Sequence, residues 1–399
     1  MIWLGGLAMA IWLGLCATGF WLCLERDDRV SLAEPQVWPD VVAVVPARNE
    51  ADVIARSLGS VAAQDYPGNF RVVLVDDNSE DGTGDIARNL ENPSPSGVSG
   101  RSCPRHDLNS PGDCLPETGL GRGLVEVLSG KPLPSGWTGK LWAVSQGIEH
   151  AGTPQYLWLT DADIEHAPDT LRRLVTIAEG KQRGLVSFMA QLHCETWPER
   201  ALVPAFVYYF SMLYPFNWVN RPGPIAGAAG GCVLVERAAL EAAGGIAAIR
   251  TALIDDCALG ALMKKQGPIW LGLTHRSRSI RPYLRANEVG AMIARSAYAQ
   301  LRYSPLILAA VVIGLLLMFV VPVGLALTGQ IMGWLVLALM ALMYQPILRC
   351  YGLSPLWGLA QPLVGTYYLY CVLWSAWMHW RGRGGMWKGR AQANAVTAR

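Results

Sequence analysis

Val41-Val42-Ala43-Val44-Val45-Pro46-Ala47-Arg48-Asn49-Glu50 and, downstream, Val72-Val73-Leu74-Val75-Asp76-Asp77-Asn78-Ser79-Glu80-Asp81-Gly82-Thr83 together decide the architecture. Each passage is an unbroken apolar run that stops abruptly in polar residues, and helical spacing separates the two. Continuous apolar runs, rather than alternating ones, mark strands buried on both faces, the habit of parallel sheets covered by helices. Further short runs at Val125–Leu128, Tyr156–Thr160 and Leu185–Phe188 alternate with helical stretches near 51–64, 81–90, 141–151 and 169–179. The pattern predicts an α/β domain with a largely parallel sheet and a site at the carboxyl ends of its strands.

The polar residues cluster where such a site would lie. Asn49 at a strand-to-helix junction suits a helix cap as well as a ligand contact. Asp76 and Asp77 are adjacent carboxylates, costly to place together unless donors or a cation receive them. Asp161-Ala162-Asp163 follows an apolar run and precedes Pro168, so it can present carboxylates to a hard divalent ion such as Mg²⁺ or Mn²⁺. Asp255 and Asp256 open a helical run; they suit its macrodipole, or one of them suits proton abstraction from a hydroxyl. Gly227, Gly230 and Gly231 lead into strand-like Cys232–Val235 and permit close backbone approach, either to a substrate or to the core. Six arginines lie between 276 and 302 against one acid, Glu288, and one or two of them suit a diphosphate.

Outside residues 40–302 the composition changes. Hydrophobic residues make up 52% of the 399 and charged residues only 16%, against roughly 25% in soluble domains. Residues 1–24 carry no charge and predict an N-terminal membrane helix, with Arg26 and Arg29 placing the following domain in the cytoplasm. Residues 303–380 predict spans at 306–327 and 331–348 and a third apolar stretch, 353–378, re-entrant or broken at Pro362. Residues 381–399 form a basic tail with Trp387, suited to the cytoplasmic membrane surface. The Pro-, Gly- and Ser-rich stretch 92–123 reads as a disordered insertion. The aromatic run from Phe206 to Trp218 suits either a core helix or an interfacial helix that guides a lipid. A net charge of +2 gives no field for nucleic acid, and the nine cysteines show no zinc spacing or disulfide framework.

Taken in order, Pro46–Glu50, Asp76-Asp77-x-Ser79-x-Asp81-Gly82-Thr83, Asp161-x-Asp163 and Asp255-Asp256 resemble glycosyltransferase family 2 and its GT-A fold. Within it, Gly139-Lys140-Leu141-Trp142-Ala143, Thr160–Asp163, Gln300–Pro305 and Trp387–Arg390 look like the hopene-associated subgroup, with ceramide glucosyltransferase a more distant relative. The resemblance implies a membrane-bound, inverting transfer of one sugar from a UDP-sugar to a lipid acceptor. It implies that Pro46, Ala47, Arg48 and Glu50 line the uridine pocket, with Asp77 near the base, Asp76 among the nucleotide-sugar-binding residues and Lys140 beside the donor. Asp161 would meet the donor and, with Asp163, the metal; Asp256, with Asp255 beside it, would be the general base. Gln300-Leu301-Arg302-Tyr303 is one residue shorter than the Gln-x-x-Arg-Trp of processive members and has Tyr for Trp. That departure disfavours polymer synthesis and leaves Gln300 and Arg302 as donor-side candidates. A polyprenyl-phosphate acceptor is the alternative. The three acids Asp77, Asp163 and Asp256 are expected around a single cation, and the chain is expected in the inner membrane.

Overall fold

The computed structural model describes residues 2–91, 124–384, 386–387 and 390–391. The expected insertion at 92–123, with Cys103 and Cys114, and residues 392–399 of the expected tail lie outside the described residues. Eight strands form one sheet: β1 (Val41–Ala47), β2 (Phe70–Asp76), β3 (Val125–Ser129), β4 (Tyr156–Thr160), β5 (Ile164–His166), β6 (Leu185–Gln191), β7 (Cys232–Glu236) and β8 (Ile269–Ser279). Their order is β3-β2-β1-β4-β7-β6-β8-β5. The first four run parallel, but β7 is antiparallel to both β4 and β6, and β5 is antiparallel to β8. The sheet is therefore mixed, which corrects the expectation of a mostly parallel one. Because β5 follows β4 by one short turn yet pairs at the far edge with β8, the sheet must curl back on itself.

The unbroken apolar strands acquire their meaning here. In β1, Val41, Ala43, Val45 and Ala47 join one core, while Val42 and Val44 join the other. A period of two sends alternate side chains to opposite faces, so a strand covered on both sides needs no polar positions.

In chain order the helices are α1 (Ile2–Ala17), α2 (Ile54–Ala62), α3 (Thr83–Glu91), α4 (Gly139–His150), α5 (Thr170–Lys181), α6 (Trp197–Leu213), α7 (Phe216–Val219) and α8 (Arg237–Ala242). They continue with α9 (Asp255–Lys264), α10 (Ala286–Gln300), α11 (Pro305–Leu315), α12 (Val321–Leu327), α13 (Ile331–Cys350) and α14 (Gln361–Trp380). One core lies beneath α2 and α5. The other passes without a break from the sheet through α4 and α6 into α13 and α14.

Two stretches, Pro305–Leu327 and Ile331–Cys350, are long and apolar enough to cross a membrane by length and composition. At the N terminus the outcome differs from the expected span of 1–24. Helix α1 has 16 residues, about 24 Å of rise against roughly 30 Å of hydrocarbon, and the chain then turns through left-handed Gly19 and Cys23. Buried Trp12 on α1 donates its indole N–H to the Met318 carbonyl at 3.2 Å. That carbonyl lies four residues before Pro322, which has no N–H to return, so α1 satisfies what the proline leaves open. The third apolar stretch is divided by a 3₁₀ turn at Pro355–Ala360, and Pro362 sits in the first turn of α14.

Candidate active site

The loops after β1 and β2 are built on each other. Asn49 N–H donates to Ser79 Oγ (3.0 Å), Glu50 N–H to Thr83 Oγ1 (2.7 Å) and Ala51 N–H to Asp81 Oδ2 (3.0 Å). Glu80 N–H returns a bond to Asn49 Oδ1 at 2.9 Å. Asn49 and Asn78 both take left-handed backbone, which Asn tolerates better than most residues. Beneath this lattice Arg48 donates to the carbonyls of Asp77 and Asn78 and lies 3.8 Å from the Asp77 carboxylate. Asp76 accepts from Ser79 N–H at 3.1 Å. The two adjacent acids are thus received by an arginine and a turn, and both are buried.

Asp161-Ala162-Asp163 is the turn between β4 and β5, the point where the sheet begins to curl. Thr160 Oγ1 donates to Gly231 O at 2.9 Å and meets His166 Nε2 at 2.8 Å, while His166 Nδ1 meets Ser277 Oγ at 2.9 Å. Burial drives the His166 pKa down to about 3, so this imidazole stays neutral and ties β4, β5 and β8 together. Ser57 Oγ on α2 donates to the Ala162 carbonyl at 2.5 Å. The turn is held from three sides.

Asp255 and Asp256 form the first turn of α9. The helix reaches the site because Gly260 lets it press on the 227–228 backbone. A Cβ at Gly260 would lie 2.7 Å from the Gly227 carbonyl carbon and 3.0 Å from Ala228 N. Asp256 Oδ2 accepts from Gly230 N–H (3.1 Å) and Oδ1 from Cys257 N–H (2.7 Å). Burial raises the Asp256 pKa to about 6; the neighbouring Asp255 charge adds to this, and Lys140 and the two N–H donors oppose it. A carboxyl so placed can hold or accept a proton near neutral pH.

Two cations bind these acids together. Lys140 Nζ lies 2.8 Å from Asp161 Oδ1 and 3.0 Å from Asp255 Oδ2. Burial alone would lower its pKa, but the two carboxylates outweigh it and hold the ammonium above the ordinary lysine value. Arg281, just beyond β8, pairs with Glu50 and lies 3.4 Å from Asp163 and 3.7 Å from Asp52. Pro46, Glu50, Lys140, Asp161, Asp163, Asp255, Asp256 and Arg281 all face one cavity of about 730 Å³. Beyond the acids it runs between α6, α10 and α14, past Phe206, Phe210, Met292, Trp374 and Met378.

Most of the expected site residues therefore meet, and some do not. Ala47, Arg48, Asp76 and Asp77 build the wall behind Pro46 and Glu50 instead of facing the cavity. Asp77 does not join Asp163 and Asp256 around a single point, which corrects that expectation. Gln300 donates to the Tyr214 hydroxyl at the end of α10, and Arg302 follows in left-handed backbone; neither lines the cavity. Arg281 was one of six arginines with nothing in its local sequence to distinguish it. Only the curl of the sheet brings it to Glu50 and Asp163. The aromatic run divides: Tyr208 and Tyr209 are buried core, whereas Phe206 and Phe210 line the cavity.

Asp161 and Asp163 have the oxygen chemistry a hard divalent ion prefers, and both are partly open, with side chains 33% and 22% exposed. Among the described residues no three His, Cys, Asp or Glu side chains stand close enough to hold an ion by themselves. The pair fits an ion whose remaining ligands come from a bound diphosphate.

Residues 42–107 and 130–244 match the family model for glycosyl transferase family 2. The chain carries a family 2 glycosyltransferase domain. Over 51 residues it is 43% identical to Glycosyltransferase AglE of Haloferax volcanii, a match covering 12% of this chain and 17% of that curated relative's length. The glycosyltransferase also resembles the solved mannosyltransferase PcManGT from Pyrobaculum calidifontis, described in complex with GDP-Man and Mn²⁺. That likeness has a TM-score of 0.54 and 18% identity, covering 94% of this chain and 98% of the other. At that identity it is a likeness of fold, and it makes the curled mixed sheet GT-A-like.

Proposed function

We propose that the chain is an inverting, metal-assisted hexosyltransferase that moves one sugar from a nucleotide-sugar, a UDP-sugar by resemblance, to a lipid hydroxyl such as that of a hopanoid. The observation that carries this reading is the single cavity that begins at Asp161, Asp163 and Asp256 and ends among the aromatic and apolar side chains of α6, α10 and α14. A soluble acceptor needs no such wall, whereas a lipid does. The two apolar stretches long enough to cross a bilayer support an inner-membrane enzyme with its catalytic domain in the cytoplasm.

Asp161 and Asp163 would hold a Mg²⁺ or Mn²⁺ ion, which when bound neutralises the leaving diphosphate. Lys140 lies beside both Asp161 and Asp255 and orients them toward the donor. Asp256 accepts the proton of the acceptor hydroxyl as its oxygen attacks the anomeric carbon. The bond from that carbon to the diphosphate breaks on the opposite face, which inverts the centre. The Gly230 N–H keeps the Asp256 carboxylate aimed into the cavity.

A second reading, transfer to a polyprenyl phosphate, is favoured by Arg295 and Arg383 on the same cavity. Membranes containing the protein should be incubated with radiolabelled UDP- and GDP-sugars and then extracted with organic solvent. The lipid-hydroxyl reading expects label in an alkali- and mild-acid-stable lipid; an acid-labile product selects the phosphate reading. Label that never enters the organic phase contradicts both.

A further inference from the structure

Every carboxylate that would hold the metal is already engaged by a side-chain cation. Lys140 sits on Asp161 and Asp255, and Arg281 bridges Glu50 and Asp163. The two cations come from different elements, α4 and the segment after β8, and are 20% and 26% exposed, so both can move into the cavity. A dication entering alone must break the Lys140–Asp161 and Arg281–Asp163 contacts, leaving Lys140 with Asp255 and Arg281 with Glu50 and Asp52. The cavity carries six carboxylates, Glu50, Asp161, Asp163, Asp255, Asp256 and Glu288, against four cations, Lys140, Arg281, Arg295 and Arg383, so a nucleotide diphosphate entering alone meets an excess of negative charge. When the two arrive together, the ion takes the aspartates and the diphosphate takes the released cations. Arginine's planar fork suits that second role.

We infer that Arg281, with Lys140, is a resident counter-cation that keeps the metal carboxylates closed in the donor-free enzyme and passes to the diphosphate as ion and nucleotide bind. Metal and donor binding are therefore coupled through Arg281, a positioning residue. This rests on the donor-site reading given above. The coupling is reciprocal: UDP tightens Mn²⁺ by the same factor by which Mn²⁺ tightens UDP.

The test titrates the detergent-solubilised full chain with Mn²⁺, followed by electron paramagnetic resonance of free Mn²⁺, with and without UDP. Wild type is expected to bind Mn²⁺ weakly alone and at least tenfold more tightly with UDP. Arg281→Met should bind Mn²⁺ alone about fivefold more tightly than wild type, the scale of losing a partly exposed competing pair, while the UDP enhancement shrinks. Arg281→Lys, which keeps the charge, should restore weak binding of Mn²⁺ alone. A damaged fold does not raise metal affinity, so the gain in Arg281→Met separates this role from a structural one. If wild type binds Mn²⁺ with UDP but Arg281→Met gains no affinity for Mn²⁺ alone, the inference is overturned and the donor-site reading stands. If wild type binds no Mn²⁺ even with UDP, the donor-site reading falls and this inference falls with it.

Discussion

Among single residues, Asp256 carries the sharpest consequences. Its pKa of about 6 lies above the ordinary aspartate value, because a half-buried carboxylate beside Asp255 resists ionisation. A base must be unprotonated, so activity should rise with pH through about 6 and flatten above it. The acid limb of kcat/KM measures this, and a limb near pH 4 would contradict it. Stability runs the other way. A raised folded-state pKa gives stabilisation present below the unfolded value, near 4, and lost as pH climbs through 6. Asp256→Asn should therefore raise the thermal midpoint of cation-free protein at pH 8 by an amount worth about 1–2 kcal/mol, with the gain vanishing below pH 4. An equal midpoint at pH 8 would show that the carboxylate ionises without cost. At this scale the sequence displays Asp161, Asp163, Asp255 and Asp256 as acids that end an apolar strand or open a helix, and the fold sets them on one cavity; Lys140, on the same cavity, was pointed to only by the family resemblance. Asp77 was misplaced because it is received by Arg48, an intramolecular partner that the sequence does not distinguish from a ligand.

At the scale of elements, β1, β2, β4 and β6 could be read from their apolar runs, and β5 and β8 could not. Strand β5 is three residues long, and the distal half of β8 buries Thr274, Ser277 and Ser279 while Arg278 pairs with Glu165 at the surface. A strand whose inward side chains are hydroxyls, bonded to a neutral histidine, has no hydrophobic signature to follow. Strands β7 and β5, which run against their neighbours, make the sheet mixed, and the pairing of β5 with β8 brings Arg281 to Asp163. Helix α9 shows how tightly an element can be placed. With Gly260 against the 227–228 backbone there is no room for a methyl group, so Gly260→Ala must push the helix outward. The expected result is a loss of about 1–3 kcal/mol in stability and a fall in kcat larger than any change in nucleotide affinity, as Asp256 leaves Gly230. Unfolding curves and the split between kcat and UDP binding check it; a variant with wild-type kcat would show that the close approach does not aim the base.

Across the whole molecule, the sheet core and the apolar helices are one continuous body, and the cavity lies along their junction. Composition revealed that a soluble-type domain is joined to apolar helices, but not how they meet. The expected N-terminal span proved to be a 16-residue helix, with Trp12 serving a proline-interrupted helix next to it. The third apolar stretch contributes α14, whose Trp374 and Met378 line the apolar end of the cavity. The central claim is that sugar transfer occurs at this junction with Asp256 as the base. The direct measurement is sugar transfer to extracted lipid by purified Asp256→Asn, with UDP binding followed in parallel by calorimetry. The account predicts that transfer falls by about 10²–10⁴-fold while UDP affinity stays close to wild type. Wild-type turnover in that variant would contradict it.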